Sequence, residues 1–481
     1  METCLELVAH NLHEVRLDDE GGKRRLLFHV PSTALFEADE VVGSILDTLR
    51  TSRCTREELR ARLPAYLEPS TLDDSLEDLR TLEIIAEQGQ PLLPDVRSQQ
   101  VQRTALNTVV LNVSTGCNLS CTYCYKEDLD TPSASKRMSA ETAKAAVEML
   151  LRESPHEHRY TIVFFGGEPL TQLPFIKNTV AYCERRFAEA GKAVDFVMTT
   201  NATLLTPAIV DYLDEHRFGL TISMDGPQAI HDRHRKTVGG VGTYATVRRK
   251  VDMLLSRYRS RPVGARVTLT AGVTDVSYIW EHLFHEVGFA EVGFAPVTSG
   301  PIDTFNLSPS EVAQVFTGMK QLGQRYLDAA LCQRNIGFSN MHQLLTNIYH
   351  GYKKSLPCGA GLKMLSVDHR GELALCHRFT GSDLPSFGNV QIGVDTPRLT
   401  QFLSARLNRE GTGCATCHIR NLCAGGCYHE SYARYGDPVH PTYHYCELMR
   451  DWVDFGISVY TSIQHANPDF FPRYIDTRKV S

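Results

Sequence analysis

No apolar stretch of this 481-residue chain approaches the roughly 20 residues needed to cross a bilayer. The N-terminus, METCLELVAHNLHEVRLDDE, lacks the apolar run of a signal peptide and carries acidic residues and histidine where that run would be. An excess of positive charge is missing too. The formal net charge of −6 argues against a large general nucleic-acid surface, while leaving room for a local basic patch. Together these absences predict a cytoplasmic protein with neither membrane nor nucleic acid as partner. What is present, 42% hydrophobic and 9% aromatic residues, suffices for a sizeable core shared among two or three domains.

Cysteine is the residue in surplus. Fourteen of them in a reducing compartment point to metal ligands or catalytic thiols rather than disulfides. Cys4, Cys54, Cys183 and Cys332 are scattered and read as small buried hydrophobes. Cys117, Cys121 and Cys124 crowd into STGCNLSCTYCYKEDLD, and seven more fall between Cys358 and Cys446. At this cysteine frequency chance would place CxxxCxxC somewhere in the chain roughly one time in 80.

The pattern divides the chain into units. Residues 1–95 begin with two alternating runs around Gly21-Gly22, a hairpin signal. Three short amphipathic stretches follow, with Thr55 and Ser70 as N-cap candidates, so the unit looks like a small winged helix. A proline-containing polar linker, 89–100, closes it. Across 104–330, six β-branched runs (TVVLNVS, TIVFFGG, DFVMTTN, GLTISMD, ARVTLTA, EVGFAPV) alternate with amphipathic stretches. That alternation predicts an α/β fold with right-handed crossovers and a parallel sheet, too short to close an eight-fold barrel and therefore a partial one. Residues 350–450 are rich in cysteine, glycine and turn residues, as expected where metal clusters replace part of a core, and 451–481 read as a C-terminal tail.

Four motifs follow the first four strands: the three-cysteine loop, GGEPL (Gly166–Leu170), TNAT (Thr200–Thr203) and SMDGP (Ser223–Pro227). TNAT or SMDGP alone would be an ordinary turn. Four such motifs on the carboxyl face of one sheet make a site. Three thiolates can hold three irons of a cubane and leave the fourth open to a ligand; a zinc ion borrowing a distant fourth ligand is the alternative.

On these motifs the chain resembles the radical S-adenosylmethionine (SAM) enzymes, which share the CxxxCxxC loop, a partial (β/α)6 barrel and a GGE motif after the second strand. The resemblance implies that Cys117, Cys121 and Cys124 bind a [4Fe–4S] cluster whose open iron chelates SAM. It implies that Tyr123 lies against the adenine and that Gly166, Gly167 and Glu168 hold the methionine ammonium, which suits a carboxylate. Asn201, Ser223 and Asp225 match positions that approach the ribose or the reaction chamber. Reductive cleavage of SAM would then yield a 5′-deoxyadenosyl radical, with the electron coming from an external donor of the flavodoxin or ferredoxin kind.

The later cysteines, with CATCHIRNLCAGGC at their centre, resemble the SPASM domain of radical SAM enzymes that modify peptides and proteins. The resemblance assigns Cys414, Cys417, Cys423 and Cys446 to one auxiliary [4Fe–4S] cluster, and Cys358, Cys376 and Cys427 to a second that lacks an identified fourth ligand. Three clusters in all are implied, with two structural zinc sites as the alternative. The N-terminal unit resembles the precursor-recognition domain of such enzymes, which captures a peptide by β-augmentation. Winged helices more often bind DNA, but the acidic stretches EADEVVGSILD and STLDDSLEDLRTLE give that no support.

CNLSCTYCYKEDL, FFGGEPL and RPVGARVTLTAGVTDV together look like the maturases of quinohemoprotein amine dehydrogenase, which join cysteine sulfur to Asp or Glu methylenes in that enzyme's small subunit. Maturases of other thioether peptides are a neighbouring class, and sulfatase maturases, which make formylglycine, are another. The latter tend to place Asp directly after the second SPASM cysteine, where this chain has His377. A precursor-binding scaffold with purely structural clusters is the non-enzymatic alternative.

Overall fold

The computed structural model describes residues 3–19, 22–63, 68–89, 105–125, 135–298, 303–442 and 444–476. Gly21 of the predicted hairpin, nearly all of the predicted linker and the KEDLD stretch lie outside them.

The N-terminal unit opens with β1 (Leu5–Leu7), then β2 (Leu12–Asp19), β3 (Gly22–His29) and β4 (Ala34–Glu37), the last three forming an antiparallel sheet in the order β2-β3-β4. Helices α1 (Glu40–Thr51), α2 (Arg56–Arg62) and α3 (Pro69–Thr81) follow, and β5 (Ile85–Glu87) returns to pair with β1. Asp39 caps α1 by accepting from the Val42 amide at 2.7 Å. Thr55 and Glu58 form a reciprocal capping box on α2. Glu68, not Ser70, stands at the cap of α3, because the helix starts two residues earlier than that cap implies, at Pro69. Leu27, Ile45, Leu46, Leu59 and Leu76 meet in a core of the unit's own.

The second unit runs β6 (Thr108–Asn112), α4 (Ala140–Glu153), β7 (Arg159–Phe165), α5 (Leu173–Glu189), β8 (Ala193–Thr200), α6 (Pro207–Glu215) and β9 (Gly219–Ser223). After α7 (Gln228–His234) and α8 (Tyr244–Arg257) come β10 (Val263–Leu269), α9 (Val276–Glu281) and β11 (Glu291–Pro296). All six strands are parallel and adjacent in chain order. Their two faces differ in kind, because side chains alternate along a strand. Tyr160, Ile162 and Phe164 on β7, Leu220 and Ile222 on β9, and Ala265, Val267 and Leu269 on β10 point outward into the buried core. Phe165, Thr221, Ser223, Arg266 and Thr268 point inward and line a cavity. The helices thus bury the apolar face, and the polar face is left around a chamber rather than a packed interior.

The sheet does not stop at six strands. β12 (Met364–Val367) pairs parallel with β6, and β13 (Leu373–Ala374) pairs antiparallel with β12, so the cysteine-rich unit extends the barrel sheet to eight. Asn112 on β6 secures the junction, donating to Ser366 at 2.5 Å and to Thr380 at 2.9 Å. Around it lie α10 (Pro309–Leu331), α11 (Ser339–Tyr349), α12 (Thr396–Leu407), α13 (Arg420–Cys423), α14 (Tyr428–Tyr435) and α15 (Cys446–Ala466). No helix among the described residues is long and apolar enough to cross a membrane.

Residues 451–476, read from the sequence as part of a tail, instead carry most of α15 and the short helix Phe470–Tyr474. Trp452, Ile457, Ile463, Phe470 and Phe471 are buried in the main core with residues of α10 and α11. The apolar spacing of WVDFGISVYTSI made this a core helix all along. One carboxylate links α15 to two other parts of the molecule: Asp454 accepts from His13 of β2 at 3.0 Å and from His418 at 2.9 Å, and the two imidazoles stack at 3.8 Å. Ile457 is fully buried, so Ile457→Ala should cost roughly 2–5 kcal/mol. Denaturant unfolding checks this, and an unchanged midpoint would return the segment to the status of a tail.

Candidate functional site

The cysteine loop leaves the end of β6 and packs directly on the loop that leaves β7. The Gly167 amide donates to the Ser114 carbonyl at 2.8 Å and the Glu168 amide to the Gly116 carbonyl at 3.2 Å. A Cβ on Gly167 would stand 2.1 Å from the Gly116 oxygen; one on Gly166, whose φ is +141°, would stand 2.4 Å from the Ser114 oxygen. Only two glycines allow the backbones this close, which is the physical reason for the GG of GGEPL. On its other side the cysteine loop is bonded to the chain after α7, Ser120 donating to the Lys236 carbonyl at 2.8 Å and Thr122 to that of His234 at 3.1 Å.

These loops ring a cavity of about 530 Å³ at the carboxyl ends of the strands. Cys117, Cys121, Tyr123, Cys124, Gly166, Gly167, Glu168, Asn201 and Ser223 all line it. Burial pushes the Cys117 thiol up to about 12 and that of Cys121 to about 11, so the protein surroundings by themselves favour neutral thiols. Only a bound cation would hold them as thiolates. Glu168 is 1% exposed and accepts from Thr200 Oγ1 at 2.7 Å, Leu170 N at 3.1 Å and Asn201 N at 2.7 Å. Burial outweighs these bonds and raises its carboxyl to about 7. Asn201 also donates to Asn118 at 3.0 Å.

Asp225 departs from expectation. It does not line the cavity. It lies buried behind the wall, where Arg235 Nε donates to it at 2.8 Å, the Tyr123 hydroxyl at 2.5 Å and the Thr268 amide at 3.0 Å. Burial alone would raise its carboxyl, but the Arg235 guanidinium beside it holds it below the usual range. Asp225 therefore fixes the Tyr123 ring from behind, and Arg235 lies 5.5 Å from that ring's centre. Neither Arg235 nor the inward-facing Arg266 stood out in the sequence. The first sits inside HDRHR, which QAI separates from SMDGP, and the second shares its strand with ordinary β-branched neighbours.

The C-terminal cysteines fall into two groups. Cys414, Cys417, Cys423 and Cys446 line one small cavity. Cys376, raised to about 11 by burial, is within electrostatic reach of Cys427 and Cys358. Arg406, Arg409 and Arg420 are 3%, 5% and 8% exposed and have no carboxylate partner among the described residues. Their donors go to carbonyls and the Asn11 amide oxygen, and the charges they sense include Cys414, Cys417 and Cys423. Burying three cations against four thiols is favourable only if the thiols carry negative charge, so this donor set suits an anionic metal–thiolate centre. The Cys376 loop also reaches the barrel chamber: His377 and Arg378 line it, and His377 packs on Phe165 at 4.1 Å.

Comparison with known proteins agrees with this geometry. Residues 111–283 match the Radical SAM superfamily. The chain is 24% identical over 368 residues to the cysteine-type anaerobic sulfatase-maturating enzyme of Clostridium perfringens strain 13, covering 73% of this chain and 96% of that one. It is 21% identical over 472 residues to the radical SAM cyclopropyl synthase TigE of Paramaledivibacter caminithermalis, covering 92% and 94%. In fold it resembles native anSMEcpe with bound AdoMet, with a TM-score of 0.64 and 21% identity over 75% of this chain and 99% of that structure. The chain is thus similar to radical SAM enzymes, with residues 111–283 as the matched region, and shares the fold of the solved one.

The raised carboxyl of Glu168 has a signed consequence. The folded state keeps the proton up to about pH 7, whereas the unfolded chain releases it near pH 4.5. Stability from this group is therefore present below pH 4.5 and is lost towards pH 7, at about 1.4 kcal/mol per pH unit. With no small ligand bound, wild-type stability relative to Glu168→Gln should fall over that window and level off above it. Denaturant unfolding at pH 5 and pH 8 measures the difference, and parallel profiles would contradict it.

Proposed function

We propose that this chain is a radical SAM maturase that joins cysteine sulfur to an Asp or Glu side-chain methylene in a protein substrate, with the small subunit of quinohemoprotein amine dehydrogenase as the candidate substrate. One observation supports the reading: His377 and Arg378, directly after Cys376, line the same chamber as the three-cysteine loop. Tyr125, at the chamber wall, feels the charges of Cys124 on one side and Cys376 on the other. A purely structural centre would not need the loop after Cys376 to line the chamber of the three-cysteine loop.

In this reading Cys117, Cys121 and Cys124 hold a [4Fe–4S] cluster, and the two C-terminal cysteine groups hold auxiliary ones. Gly166, Gly167 and Glu168 receive the methionine ammonium of SAM, Tyr123 the adenine, and Asn201 and Ser223 the ribose side. Asp225 supports Tyr123 instead of touching ligand. When bound, the reduced cluster and SAM supply a radical able to take hydrogen from an unactivated carbon. The protein's residues supply position and dryness. Glu168, fixed by its three donors, offers a charge acceptor that needs no reorganisation. Phe165 and His377 close part of the chamber against water. The edge strand β4 leaves backbone groups open on one side of the N-terminal sheet, where a precursor strand can add. Each bond formed removes two hydrogens from the substrate: the one on carbon would leave as a hydrogen atom to the deoxyadenosyl radical, the one on sulfur as a proton, and the one electron released would pass to a centre held by the C-terminal cysteines.

A second reading, formylglycine formation, draws on the sulfatase-maturating relatives. His377 in place of the Asp usual after that cysteine counts against it. Reconstituted protein given SAM, a one-electron donor and the precursor decides among them. The proposal expects 5′-deoxyadenosine, a product lighter by two hydrogens per bond, and one cysteine protected from alkylation per bond. A product aldehyde in place of a cysteine thiol would favour formylglycine chemistry, and absence of 5′-deoxyadenosine would leave a scaffold.

A further inference from the structure

The chamber holds more positive charge than its described residues use. Three arginines line it: Arg235, Arg266 and Arg378. Arg235 is committed to Asp225. Arg266 projects inward from β10, level with Ser223 on β9 and Gly293 on β11. The Arg266 guanidinium lies over Gly293, close enough that a Cβ there would be in van der Waals contact with it. Arg378 follows Cys376 by two residues and lies 5.3 Å from the centre of the Tyr125 ring. Neither Arg266 nor Arg378 has a carboxylate partner among the described residues, and the acidic residue lining the chamber, Glu168, is already engaged by three donors. Each guanidinium is also within electrostatic reach of the other, and Arg266 is solvent-exposed on the chamber side of β10, free to meet a ligand there.

Two like charges facing one enclosed space are unfavourable until an anion lies between them. A guanidinium presents a planar fork of donors that matches a carboxylate, and cannot be neutralised by losing its proton. A carboxylate in this chamber has two sources, SAM itself and the substrate. Arg266 stands three strands from Glu168, roughly 14 Å along the sheet at about 4.8 Å per strand. Arg378 belongs to the loop of the C-terminal cysteines. The pair therefore lies on the side of the chamber that the C-terminal unit helps to form.

The geometry points to Arg266 and Arg378 as a carboxylate clamp that grips the acidic side chain of the substrate and so presents its methylene to the chamber. This rests on the maturase reading above and gives it a basis for choosing Asp or Glu. An amide side chain has the same shape but no charge, and would lose most of the grip.

The test is a thermodynamic cycle on the reconstituted full chain with SAM present, using two synthetic peptides, glycine-flanked, with one cysteine and either one Asp or one Asn. Wild type should bind the Asp peptide about tenfold more tightly than the Asn peptide. In Arg266→Gln and in Arg378→Gln that ratio should collapse to within about twofold, with Arg266→Lys intermediate because charge remains and the fork is lost. Retained affinity for the Asn peptide shows that the variants fold. A ratio unchanged in the variants, or no binding of either peptide to wild type at millimolar concentration, overturns the clamp. So does a tenfold loss of SAM affinity in Arg266→Gln with the peptide ratio intact, which would assign the site to SAM's own carboxylate. The clamp and the chemistry fail separately: coupling without a thioether product would sink the reaction and keep the clamp, and a thioether product without coupling would do the reverse.

Discussion

Two peptide groups, the amide of Gly167 and the carbonyl of Ser114, meet at 2.8 Å, and the arrangement of the site hangs on that contact. It holds the three-cysteine loop against the end of β7 and so places Glu168 beside Cys117. Side chains at 166 and 167 would push the loops apart by ångströms, since the obstructing atoms are backbone and cannot rotate away. From the same point the chain order follows: Glu168 orders Thr200 and the Asn201 amide, and Asn201 reaches back to Asn118 in the cysteine loop. Three loops from separate strands are thereby closed into one ring.

Electrostatics divides the molecule into charges that are satisfied and charges that wait. Asp225 and Arg235 neutralise each other behind the wall and serve the position of Tyr123. Arg406, Arg409 and Arg420 are buried with carbonyl partners but without a carboxylate among the described residues, against thiols that burial keeps neutral in the absence of metal. A metal bound at these cysteines would ionise the thiols beside the buried guanidiniums, and its binding would then be coupled to folding of the C-terminal unit. Its short elements and small core of Leu375, Phe379, Leu399, Leu403 and Tyr428 agree with that dependence.

Much of this was legible from residue patterns. The six parallel strands and the motifs at their ends follow from alternation of β-branched runs with amphipathic helices, and the cysteine spacing stands out against composition. Three features were not legible, each for a physical reason. β12 is four residues of MLSV and β13 two, too short for a period to declare them, yet they weld the C-terminal unit onto the sheet. α15 was obscured because the cysteine series ends at its first residue, which invited a boundary where the helix begins. Asp225 follows a strand like the true chamber residues but turns away from the cavity, a matter of side-chain direction that a turn motif does not encode.

The central claim is that the chamber directs hydrogen abstraction to an acidic side chain of a protein substrate. Precursor carrying deuterium on its Asp and Glu methylenes tests this most directly, with the isotope content of the 5′-deoxyadenosine as the readout. The account predicts that deuterium appears there and that the same carbon ends bonded to sulfur. Deuterium arriving only from precursor labelled at the cysteine β-carbon would contradict it.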